Sequence, residues 1–167
     1  SVVLAVLLVV GGTMAWFTSN PEEVTNTFAA GTVDIGATGD EYSEIINWNP
    51  GDTTERNLTI TNNGSKATYV RAKLTPKWED GLDITNVTFE LKKGSNNEDP
   101  NWVYSDGWYY YKYILTKDDK SINLPYNVIL DGPRTGNKYQ GKTLTLTVEA
   151  QAVQASHDAY KDEWGPN

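Results

Sequence analysis

The 167-residue chain has no cysteine and one histidine, His157. Without cysteine there are no disulfides, thiolate metal ligands or thiol nucleophiles, although secretion stays open because many bacterial surface proteins lack the residue. One histidine cannot make a paired-histidine zinc motif. His157 sits in the polar stretch Gln154-Ala155-Ser156-His157-Asp158, where a solvated ring is the simpler reading than a catalytic one. The phosphate-cradling Gly-x-x-x-x-Gly-Lys-Ser/Thr loop and the Gly-x-Ser-x-Gly elbow are both missing, so nucleotide and esterase chemistry have no motif. Positive charge is scarce, with 14 Lys and Arg against 22 Asp and Glu, a net charge of -8 and a pI of about 4.6. A phosphate backbone would meet that field unfavourably, so nucleic acid is not an expected partner. No cofactor is expected either.

What the chain does contain favours pleated structure. Trp, Tyr, Val, Ile and Leu dominate its apolar set while Thr and Asn are plentiful, which suits half-buried strands better than helices. With the first segment set aside, roughly 140 residues remain, enough for one substantial core. That segment is uncharged over residues 2–17 and continuously apolar over Val2, Val3, Leu4, Ala5, Val6, Leu7, Leu8, Val9 and Val10, before Gly11-Gly12-Thr13-Met14-Ala15-Trp16-Phe17. It is shorter than the roughly 20 residues of a membrane helix and fits a signal-peptide apolar region of about 7 to 15, with small residues where a signal peptidase acts. Two expectations stay open. The segment is part of a signal peptide, or Ser1 is a mature terminus and the apolar stretch is retained as in pilin-like filaments. The expected division is residues 1–17 as this segment, 18–31 as a linker or joining segment, and 32–167 as a β-domain.

Turn signals punctuate the body, among them Asn49-Pro50-Gly51-Asp52, Asn62-Asn63-Gly64-Ser65, Asp80-Gly81, Asp106-Gly107 and Asp131-Gly132-Pro133. Their spacing predicts a sandwich or barrel. Between them, Leu58 and Ile60 share one face, as do Val70, Ala72 and Leu74, and residues 143–152 put Leu144, Leu146, Val148, Ala150 and Ala152 on one parity with the other parity wet. Residues 101–104 and 108–115 form a candidate hairpin about Asp106-Gly107. The reading is about eight strands in two sheets, with at most a helical turn or two at residues 20–25.

Three surface chemistries merit weighing. Acidic clusters at Asp40-Glu41, Glu44, Asp52 and Glu55, at Glu98-Asp99 and at Asp118-Asp119 could form a weak calcium site, but no EF-hand spacing occurs and solvated loops are the simpler reading. Trp48, Trp78, Trp102, Trp108 and Tyr109, Tyr110, Tyr111 and Tyr113 could form a carbohydrate platform. Strand alternation, however, sends Tyr109, Tyr111 and Tyr113 one way and Trp108 and Tyr110 the other, so one set is core. Asn57-Leu58-Thr59, Asn63-Gly64-Ser65 and Asn86-Val87-Thr88 match the glycosylation sequon, a pattern common by chance in such compositions.

Several stretches together resemble the TasA and camelysin family of biofilm-matrix proteins. They are Gly11-Gly12-Thr13-Met14-Ala15-Trp16-Phe17, Asn26-Thr27-Phe28-Ala29-Ala30-Gly31-Thr32-Val33-Asp34-Ile35, Tyr69-Val70-Arg71, Trp78-Glu79-Asp80-Gly81, Asp106-Gly107-Trp108-Tyr109-Tyr110-Tyr111 and Val148-Glu149-Ala150-Gln151-Ala152. The resemblance implies a jelly-roll-like antiparallel sandwich, export with transient membrane contact, and signal-peptidase cleavage near Met14, Ala15 and Trp16. It also implies head-to-tail homopolymerisation by a donated N-terminal strand, alone or with other matrix components. The joining residues would be Trp16, Phe17 and Phe28, adjoined by the stretch from Val24 to Ile35, or Val2 to Val10 if that segment is retained. A monomeric adhesin is the alternative from the binding class. The camelysin name also implies a metalloprotease; such an enzyme needs three protein ligands, a water and a general base, and one histidine without cysteine is a poor set. The expectation is therefore a non-enzyme.

Overall fold

The computed structural model describes residues 35–39, 42–45, 49–94, 100–156, 161 and 164. Its strands are β1 (Ile35–Gly39), β2 (Tyr42–Ile45), β3 (Thr53–Asn62), β4 (Thr68–Trp78), β5 (Val87–Leu91), β6 (Trp102–Ser105), β7 (Trp108–Tyr111), β8 (Ser121–Leu130) and β9 (Leu144–Gln154). One sheet has the order β1-β3-β8-β5 and the other β2-β9-β4-β7-β6, with every pairing antiparallel. The fold is an all-β sandwich, one of the two architectures that turn spacing predicts and the jelly-roll-like one that the family resemblance implies, with nine strands among the described residues where about eight are expected.

Period-two alternation explains how the sheets close on each other. Leu58 and Ile60 of β3 and Leu124, Tyr126, Val128 and Leu130 of β8 point inward from one sheet. Val70, Ala72 and Trp78 of β4 and Leu144, Leu146, Val148 and Ala150 of β9 meet them from the other, in one continuous buried cluster. Each buried Leu, Ile or Val contributes about 1.5–3 kcal/mol relative to exposure, so the four long strands dominate the hydrophobic term. The parity of β9 expected to be wet is buried at its far end, at Gln151 and Val153. The Arg71 side chain lies over Gln151 there, donating from Nε and Nη2 to Oε1 at 2.8 and 2.6 Å.

Two prolines fall within strands without breaking the sheets. Asn62 and Leu130 donate backbone N–H groups to Lys120 and Asp52, so hydrogen-bonded pairs of the β3–β8 ladder fall at even residues of β8. Pro125 therefore turns its donorless nitrogen toward β5, beyond the last pair Leu91↔Tyr126, and its carbonyl accepts from Lys92 N–H at 3.0 Å. The same alternation, fixed by Glu79 N–H donating to Thr143, turns Pro76 away from β9.

The Asp106-Gly107 turn joins β6 and β7 as expected. Both residues have positive φ, 48° and 83°, the two-residue turn whose twist matches paired strands. The strand ends sooner than its aromatic run, however. β7 stops at Tyr111; Leu115 instead exchanges two backbone hydrogen bonds with Thr68, at 2.8 and 3.0 Å, leaving Tyr113 and Ile114 exposed.

Candidate functional site

The aromatic side chains divide between core and outer face. Trp78, Trp102 and Tyr109 are buried, and Tyr111 packs against the core with its ring centre 5.3 Å from that of Trp102. Burial, then the neighbouring Tyr104, pushes the Tyr109 hydroxyl up to about 12. Trp108 and Tyr110 lie on the outer face of the five-stranded sheet, where the Arg71 guanidinium sits 4.1 Å from the Trp108 ring centre and 4.6 Å from that of Trp164. Gln151 fixes this guanidinium and donates in turn to Glu149 at 2.8 Å. Of the aromatics considered as a sugar platform, then, two tryptophans are core and Trp108 is stacked on a cation; Trp48 lies outside the described residues.

At one end of the sandwich the polar groups close on themselves. The Trp78 indole N–H donates to Asn86 Oδ1 at 3.0 Å, Asn86 Nδ2 donates to Thr135 Oγ1 at 3.1 Å, and Asp131 N–H donates to the Asn86 carbonyl at 2.8 Å. The Tyr139 hydroxyl donates to the Asp83 carbonyl at 2.9 Å while its ring packs 5.1 Å from Trp78. Asn86 is 1% exposed, so the sequon there is a structural amide. Asn57 is exposed but its amide reaches Thr59 and Asn123, at 3.3 and 3.4 Å; Asn63 is exposed on its turn.

The opposite flank is open among the described residues. β5 covers β8 only from Tyr126 to Leu130, so on that side residues 121–125 have no strand neighbour among the described residues. A side chain substitutes in one place, where the Trp102 indole N–H donates to the Asn123 carbonyl at 2.8 Å. The same odd-residue geometry turns the Asn123 N–H toward the gap. Beside it lies a cleft of about 400 Å³ between the sheets, whose lining includes Trp102, Tyr111, Ile122, Asn123, Lys92 and Lys93. Burial, followed by the charge of Asp119 and the neighbouring Tyr113, raises the Tyr111 hydroxyl pKa above its ordinary value.

Among the described residues the acidic side chains do not converge. Asp52 accepts from Asn49, Glu55 pairs with Lys92 at 2.7 Å, Asp80 pairs with Lys142 at 2.6 Å, and Asp119 accepts from Thr116. Thr85 holds the Asp83 carboxyl below its usual range by a backbone and a side-chain hydrogen bond. Among the described residues no three His, Cys, Asp or Glu side chains gather as a metal site requires. Glu98, Asp99 and His157 lie outside them, as do Asp40, Glu41 and the side chain of Glu44.

The N-terminal residues named as joining segment, Val2, Val3, Leu4, Val6, Leu7, Leu8, Val9, Val10, Trp16, Phe17 and Phe28, and the cleavage region Met14 to Trp16, also lie outside the described residues. Ile35, the far limit of that stretch, is 3% exposed and opens β1 within the chain's own sandwich.

Residues 1–88 match a family model described as camelysin metallo-endopeptidase. No curated protein matches the chain. The family's name specifies a metal-dependent peptidase, and the donor side chains among the described residues do not form a set that fits one.

Proposed function

Because the chain belongs to the camelysin family and, among the described residues, no strand covers one end of the β8 flank beside a cleft of mixed polar and aromatic lining, we propose that it is a secreted, non-enzymatic structural subunit. Its product is an extracellular filament of the cell surface or biofilm matrix. Family membership supports the coarser part, a secreted or cell-surface matrix protein.

The observation that carries the finer part is that no strand among the described residues covers Ser121 to Leu124 on that side, with the cleft beside them. An extended N-terminal segment of a second copy laid along it would give the Asn123 N–H a partner and bury apolar side chains against Trp102, Tyr111 and Ile122. Residues 2–17 supply an uncharged and largely apolar candidate for that strand. Donation of one copy's terminus to the next does not close on itself, so it builds a filament. A peptidase role would instead need metal ligands drawn from residues such as His157. The non-enzymatic reading predicts no chelator-sensitive peptide cleavage by the purified protein.

Electron microscopy of the secreted protein, joined to N-terminal sequencing of the same sample, tests the proposal. Filaments of uniform width are expected from protein whose sequenced terminus retains the joining residues. A strictly monomeric protein with that terminus intact overturns it.

A further inference from the structure

β6 is the outermost strand of the five-stranded sheet among the described residues. Its ladder with β7 runs from Trp102↔Tyr111 to Ser105↔Trp108, and Lys112 N–H donates to the Asn101 carbonyl one step beyond. Bonded and non-bonded pairs alternate in such a ladder. Asn101, Val103 and Ser105 therefore aim their backbone groups at β7, while Trp102 and Tyr104 aim theirs into the open edge. Natural sheets usually guard such an edge with charge, proline or a bulge. The β5 edge of the other sheet carries Glu90 and runs into Lys92 and Lys93, and the part of β4 beyond β7 carries Pro76. β6 has neither a charge nor a proline, and Val103 and Tyr104 are 50% and 59% exposed.

We propose that β6 is a self-association edge, pairing antiparallel with β6 of a second copy about a two-fold axis at Val103. Backbone parity lets the axis fall at Trp102, Val103 or Tyr104; an axis at Trp102 would set Tyr104 opposite Pro100, which has no N–H, and one at Tyr104 would set Trp102 opposite the turn residue Asp106. The axis at Val103 sets Trp102 opposite Tyr104 of the other copy, and the reverse, which gives both outward residues reciprocal backbone hydrogen bonds and sets Val103 opposite its own symmetry mate. Pro100, without an N–H, then falls opposite Asp106 and ends the ladder. Each copy satisfies the other's outward groups in this register, which is why a second copy is the occupant. The net charge of -8 makes copies repel elsewhere, and a neutral strand is a favourable place for them to meet. Such a contact is isologous and closes at two copies. It would tie one filament laterally to another and does not depend on head-to-tail joining.

Val103→Cys in the full chain, which has no cysteine of its own, reads this register directly. Residues opposite each other in a non-hydrogen-bonded pair lie about 4.5 Å apart at Cα, within disulfide range. Mild oxidation is expected to give one covalent dimer band on a denaturing, non-reducing gel and no higher ladder. It should form at least about tenfold faster than for Thr88→Cys on the guarded β5 edge, because pairing holds the two thiols at high effective concentration. In sedimentation velocity Val103→Lys should lose the dimer, and an equal mixture of Val103→Lys and Val103→Glu should recover it. Cross-linking of Val103→Cys no faster than Thr88→Cys, or association unchanged by Val103→Lys, overturns the proposal. The denaturing gel reads only the covalent link, so its answer is the same whether or not filaments form.

Discussion

The two ends of the sandwich core meet solvent in opposite ways. At the closed end, around Trp78, Asn86, Thr135 and Tyr139, each buried side-chain donor just described has an acceptor within about one residue's reach, and the aromatic rings pack on each other. At the open flank β8 has no strand neighbour among the described residues from Ser121 to Leu124, the Trp102 indole N–H bonds the Asn123 carbonyl there, and β6 presents Val103 and Tyr104 to water. Burying an unsatisfied polar group costs about 1–3 kcal/mol, whereas a solvated strand edge costs little until another chain finds it. The contrast teaches that folding stability is concentrated where polar groups are paired internally, and capacity for association where they are left for a partner.

Substitutions can break that contrast from the closed end first. Trp78→Ala removes one of the two fully buried tryptophans among the described residues together with its hydrogen bond to Asn86, and should lower unfolding free energy by about 3–5 kcal/mol in urea titration. Asn86→Ala leaves the Trp78 indole N–H without its acceptor, with an expected loss of about 1–3 kcal/mol. The same change at exposed Asn57 should stay within about 0.5 kcal/mol.

The third effect depends on pH. The Tyr109 hydroxyl is raised from 10.0 to about 12 in the folded chain. Its contribution is fully present below pH 10 and is lost as pH rises through about 12, because the unfolded chain gives up that proton first. Thermal unfolding temperature should therefore fall more steeply across that window in the parent than in Tyr109→Phe, with the two nearly equal at neutral pH. The smallest stability effect is expected at the open flank. Val103→Lys should change unfolding free energy by no more than about 0.5 kcal/mol, since the side chain is half exposed on an edge strand, even as it removes association.

Legibility in the sequence followed how local each determinant is. The β6–β7 hairpin could be read because Asp106-Gly107 is itself the turn, and β9 could be read because apolar and polar residues alternate from Leu144 to Ala152, although the burial of Gln151 and Val153 could not. β8 was hidden: Pro125 in mid-strand argues against a central position, and only the end of β5 at Leu91 shows why it is tolerated. The tryptophans could not be apportioned from sequence, since Trp78 and Trp102 are core only through contacts with Asn86 and with β8. The stacking of Arg71 between Trp108 and Trp164 joins residues distant in the chain, and no spacing signals it. Asn86 reads as a sequon locally and as a buried amide only in the fold.

The central claim, that association uses the open flank and spares the closed end, is tested most directly by amide hydrogen exchange on dispersed and assembled protein. Assembly should slow exchange at Trp102, Tyr104 and Asn123 and leave Asp131, already bonded to Asn86, unchanged. Protection gained around Asn86 and Tyr139, with Trp102, Tyr104 and Asn123 exchanging as fast in the assembled state as in the dispersed one, would contradict it.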